Sequence, residues 1–107
     1  MNTKVIPFAA TVRAEGEQTV MVLTGEINGL ADEALSAAYE QAAQMSPARL
    51  VLDFAGVDYI NSTGIALIVG VLAQARAAHI PLKAVGLSDH YREIFTITRL
   101  SDFIEIA

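Results

Sequence analysis

Residues 50–64, Leu50-Val-Leu-Asp-Phe-Ala-Gly-Val-Asp-Tyr-Ile-Asn-Ser-Thr-Gly64, decide how this chain folds. Leu50 to Phe54 is short and nearly all apolar, which suits a strand covered on both faces. Gly56 to Asn61 reads as a loop. Ser62 or Thr63 then opens a helix that runs to about Ala78 and is stopped by Pro81. A strand feeding a helix in this way belongs to a parallel crossover, so the flanking sequence is read for the other strands.

Upstream, Phe8 to Arg13 and Thr19 to Thr24 read as two strands of a hairpin. Ala14 to Glu17 is the turn, with Gly16 free to take a positive φ. Gly25 to Gly29 breaks the second strand. A helix is expected from about Leu30 to Met45, with Leu35, Ala38, Tyr39, Ala42 and Met45 on one face. Asp32 and Glu33 lie in its first turn, where the helix dipole favours acid, and Pro47 ends it. Downstream, Leu82 to Val85 is a strand. A helix follows from near Ser88, with Tyr91, Ile94 and Phe95 inward, and Phe103 to Ile106 is a last strand. The order β-β-α-β-α-β-α-β predicts an α/β domain: a single mixed, mainly parallel β-sheet with an N-terminal hairpin and helices packed on it.

With 107 residues, the chain is expected to form one domain over 1–107. Its net charge of -5 argues against binding nucleic acid through phosphate neutralisation. The absence of cysteine excludes disulfides, thiolate metal sites and a cysteine nucleophile. Tyr59 to Ala75 carries no charge at all. Its most apolar part, Ile65 to Ala73, is nine residues long. A membrane-spanning helix needs roughly 20. Met1 to Pro7 lacks the features of a signal peptide, so a cytoplasmic protein is expected.

The helix opening at Ser62 carries the chemistry. A serine or threonine there can cap the helix by accepting a hydrogen bond from an unpaired first-turn amide. The same helix end also tolerates a phosphate, which would add about -1.5 to -2 charges to a neutral surface. Beyond it, Ile65, Ile68 and Leu72 form one apolar stripe, and Leu67 and Val71 another. One of them is expected to be exposed as a docking site. Catalysis has little support. His79 and His90 stand alone, and neither a nucleophile elbow nor a phosphate loop with lysine is present. No metal site, cofactor or enzymatic activity is expected.

Three segments, Leu23-Thr-Gly-Glu-Ile-Asn28, Val51 to Ile65 and Gly86 to Leu100, resemble in order and spacing the STAS domain. That fold is shared by anti-sigma factor antagonists and the cytoplasmic part of sulfate transporters. The resemblance implies a protein-binding switch. Its partner would be an anti-sigma factor that is also a serine kinase of the histidine-kinase-like ATPase type, and a serine phosphatase would reset it. The acceptor carried over is Ser62, with Thr63 as second choice. From the uncharged helix and the loops beside it, the partner surface is expected at Asn28, Gly29, Leu30, Asp58, Tyr59, Asn61, Thr63, Gly64, Ile65 and Ile68. A monomer or weak dimer is expected. Asn61 and Asn28 stand where the family usually has aspartate. Asparagine still hydrogen-bonds but holds magnesium poorly. Two alternatives therefore accompany the switch: an unmodified scaffold STAS subunit of a signalling or lipid-transport complex, and a nucleotide- or small-ligand-binding STAS module.

Overall fold

The computed structural model describes residues 6–107, so the reading of Met1 to Val5 lies outside it. Five strands form one sheet in the order β1-β2-β3-β4-β5. The strands are β1 (Ala9–Glu15), β2 (Gln18–Ile27), β3 (Arg49–Ile60), β4 (Leu82–Val85) and β5 (Glu105–Ile106). β1 and β2 pair antiparallel, and all later neighbours pair parallel. Three helices make the crossovers: α1 (Asp32–Gln44), α2 (Ser62–Ala77) and α3 (Asp89–Ile97). The mixed, mainly parallel α/β architecture is the expected one.

Because successive parallel strands are added in one direction, right-handed crossovers place all three helices on the same face. Side-chain alternation shows which face that is. Met21, Leu23, Leu50, Leu52, Phe54, Leu82 and Ala84 join a single core cluster with Leu35 and Tyr39 of α1, Ile68 and Leu72 of α2, and Phe95 of α3. Val20 and Val51, on the alternate positions, stand outside that cluster. The helices cover one face only, yet Val51 on the other face is buried as well, in keeping with a strand expected to be covered on both. The second face of Leu50 to Phe54 holds only Val51 and the half-buried Asp53.

Several boundaries also move. The hairpin turn is Gly16-Glu17 alone, with Gly16 at φ 65, and Ala14 and Glu15 remain in β1. Gly25 does not break β2. It sits inside the strand at φ 83, next to register shifts opposite β3. A glycine there relieves a bulged backbone that still pairs. The predicted loop from Gly56 to Asn61 is strand as far as Ile60, because this irregular end of β2 continues to pair with it through Ile27↔Ile60. A single 3-10 turn, Gly29–Ala31, precedes α1; another, Leu100–Asp102, leads toward the last strand, which forms only over Glu105–Ile106 and not from Phe103 as expected. Met45 follows α1 as its C-cap and is exposed.

The end of β3 is fixed from α3. The Tyr91 hydroxyl accepts from the Ile60 amide at 2.8 Å and donates to the Ile60 carbonyl at 3.3 Å, in a buried setting. One side chain therefore satisfies both backbone groups of the last strand residue before the α2 opening.

Candidate functional site

The site is a ledge where the end of β2 meets the start of α2. The Ile27 carbonyl accepts from the Asn61 amide at 3.2 Å. A side chain on Gly64 would bring its Cβ within 2.0 Å of that same carbonyl oxygen. Glycine is thus the residue that lets α2 start against β2. Gly64→Ala is expected to cost about 2 kcal/mol of stability through overpacking. The sign is informative, because alanine elsewhere in a helix gains about 1 kcal/mol over glycine. The midpoint of urea unfolding measures it.

Asn61, not Ser62 or Thr63, caps the helix. Its Oδ1 accepts from the Gly64 amide at 2.8 Å, and its backbone is extended. Ser62 is therefore the first helical residue, and the expected cap assignment moves back by one. The consequence is chemical. The capping oxygen comes from an amide, while the exposed Ser62 and Thr63 hydroxyls have no part in that cap. Asn61→Ala should lower stability by about 1 kcal/mol. Asn61→Asp should preserve the cap, and thermal unfolding distinguishes the two variants.

Asn28 has a similar local duty. Its Oδ1 accepts from the Leu30 amide at 2.9 Å, opening the 3-10 turn, and its Nδ2 donates to the Glu26 carboxylate. Both asparagines thus use their side chains within the fold. Gly29 lies beside Thr63, since a Cβ built on Gly29 would be 3.5 Å from the Thr63 methyl. Leu30 projects from this ledge with 92% of its surface exposed.

The expected surface residues separate into groups. Gly29, Leu30, Ser62 and Thr63 share the ledge and are exposed, and Asn28 and Asn61 support it. Ile65 is half-buried against the core. Gly64 is buried and Ile68 is only 1% exposed, which removes both from any contact surface. Tyr59 pairs with Glu26, out of phase with the core-facing pair Ile27 and Ile60. Its ring, half exposed, leaves by the opposite face of the sheet, and Asp58 lies exposed beside it.

Neither predicted stripe of α2 is exposed. Ile68, Val71, Leu72 and Ala75 are buried, and Ile65 and Leu67 are half-buried. The outward line is instead Ser62, Ala66, Val69, Gly70 and Ala73. Small side chains at helical spacing were the available signal. Among the described residues, no three histidine or carboxylate side chains gather as metal ligands. None of the helices there is long and apolar enough to cross a membrane.

A family model described as the Mlab, STAS domain matches residues 10–105. The chain belongs to the STAS family. This STAS chain is 42% identical over 57 residues to the anti-sigma-B factor antagonist of Listeria monocytogenes. That match covers 53% of the chain and 50% of the relative, so the chain spans about half the length of the curated protein it matches. Among solved structures, an anti-sigma factor antagonist from Mycobacterium paratuberculosis superposes with a TM-score of 0.77 at 19% identity, covering 94% of this chain and 85% of that one. The phosphorylated form of the Bacillus cell fate determinant SpoIIAA gives 0.69 at 22% identity, covering 92% and 91%. At these identities the structural likeness concerns the fold.

Proposed function

We propose that this STAS chain is a cytoplasmic anti-sigma factor antagonist whose grip on its partner is released by phosphorylation of Ser62. The observation that carries the reading is the exposed Ser62 hydroxyl at the first position of α2, where Asn61 does the capping. The hydroxyl is accessible to a kinase, and modifying it leaves the cap intact. The partner is an anti-sigma factor with serine-kinase activity of the histidine-kinase-like ATPase type, and a serine phosphatase restores the binding form. Leu30, Gly29 and Thr63 frame the acceptor, and the neutral face of α2 supplies the remaining contact. The names of the relatives support this role. The kinase binds ATP, transfers its terminal phosphoryl group to the Ser62 oxygen and releases ADP and the hydroxyl proton, so the chain itself needs no cofactor. The test is to incubate the chain with the kinase and ATP and locate phosphate by mass spectrometry. Modification at Ser62, lost in Ser62→Ala, is the expected result.

A second reading is a scaffold STAS subunit in which Ser62 stays unmodified. It is favoured by Asn28 and Asn61, whose amides are both engaged inside the fold and carry no charge toward a magnesium-dependent kinase. Elution in a large stoichiometric complex, with no phosphate at Ser62, would select it.

A further inference from the structure

The outward line of α2 does not end on open solvent. It runs into an apolar cavity of 170 Å³ between α2 and the 3-10 turn after α3. Val69, Leu72, Ala73, Leu100, Phe103 and the stem of Arg76 line it. The Arg76 guanidinium lies over the Phe103 ring, 4.9 Å from its centre, so its charge is held at the rim while its methylenes face the cavity. Val69 and Phe103 are 42% and 48% exposed at its mouth. By volume it exceeds the cavity of about 150 Å³ that accepts benzene in an apolar core.

We infer that this cavity receives one apolar side chain, of leucine, methionine or phenylalanine size, from the same anti-sigma partner that engages Ser62. The inference rests on the proposed docking of that partner at the Ser62 ledge. Continuity argues for the shared occupant. Val69 lies roughly 10 Å from Ser62 along the helix and Ala73 roughly 16 Å. An interface giving about 800 Å² per partner is roughly 30 Å across and spans both. Between them the helix presents Ala66 and Gly70, which allow close approach, and no charge that would have to be desolvated. The partner thus holds the chain at two points. Ser62 is the one that phosphorylation alters, and the cavity supplies an anchor of the kind that dominates interface energetics.

Two variants probe the cavity from the exposed surface. Val69→Lys places a charge at its mouth, and Ala73→Leu fills it without charge. Both replacements are good helix formers, so melting temperature should hold. The probes are the histidine-kinase-like ATPases of the genome of origin, purified in turn and titrated calorimetrically against the unphosphorylated chain. Each variant is expected to weaken binding at least tenfold. If Ser62→Asp weakens binding but either cavity variant binds like the parent chain, the cavity inference is overturned and the switch reading stands. If the parent chain binds none of the ATPases, both are overturned. Sedimentation provides the remaining outcome: a self-associating parent chain made monomeric by Val69→Lys would assign the cavity to a second copy and overturn the partner assignment.

Discussion

Phe95→Ala is expected to lose about 3–5 kcal/mol of stability, the largest effect of any single truncation considered. Phe95 is completely buried and meets Phe54 edge-to-face, with ring centres 5.8 Å apart. The pair joins α3 to the centre of β3. Its loss removes the transfer energy of a large side chain, the aromatic contact, and the packing around the remaining cavity. Domains of this size are typically stable by about 5–15 kcal/mol, so the variant should unfold at much lower denaturant. The same packing seats Tyr91, one helical turn earlier, whose hydroxyl holds both backbone groups of Ile60. Loosening α3 should therefore raise hydrogen exchange at Ile60 and Asn61 before the rest of β3. Equal protection loss along all of β3 would argue that Phe95 serves only the global core.

This coupling explains why the fold was more legible than the site. Strands and helices declared themselves through alternation and helical spacing in segments such as Thr19 to Thr24 and Leu35 to Ala42, where one element packs against one core. Gly56 and Asp58 look like breakers locally, yet both remain in β3, because β2 pairs with Gly56 through Thr24 and, past a register shift that skips Asp58, with Tyr59 through Glu26. That partnership joins positions thirty residues apart and leaves no local mark. The cap position is hidden for a related reason. Asn61, Ser62 and Thr63 are all competent caps, and only the Ile27 carbonyl meeting the Asn61 amide decides where the helix begins.

The face of α2 was illegible because apolar residues occupy nearly its whole circumference. Hydrophobicity cannot choose between Ile68 and Val69. Gly64 can, once its contact with Ile27 is known. Closest approach at Gly64 turns Ile68, Val71 and Leu72 inward, and Ala66, Val69 and Ala73 outward. The outward line is therefore the part of the helix with the smaller side chains. Leu30 is the converse case. Its place on the expected partner surface implied exposure, but the near-complete exposure depends on the 3-10 turn that carries it.

Phosphorylation of Ser62 is expected to weaken partner binding by at least about thirtyfold while leaving the domain folded. The two effects have separate physical causes. Within the chain, the added charge meets the first turn of α2, where the helix dipole favours an anion by about 0.3–1 kcal/mol. Asn61 remains available to cap Gly64. Thermal unfolding should therefore hold steady or rise slightly. At the interface, about -1.5 to -2 charges would be placed against a partner surface fitted to a neutral face. An unpaired charge in such a contact costs about 2–5 kcal/mol, and each 1.4 kcal/mol is a factor of about ten in affinity. The second phosphate ionisation lies near pH 6, so the dianion dominates at pH 7.5 and the monoanion at pH 5. Release should be strongest at the higher pH, after correction for the partner's own titration using the unphosphorylated chain. Ser62→Asp should show a smaller loss with less pH dependence over that range, because its single charge is complete well below pH 6. A loss of that size accompanied by a lower melting temperature would instead mean that the phosphate acts by disrupting α2. Unchanged affinity with phosphate confirmed at Ser62 would remove the ledge from the interface.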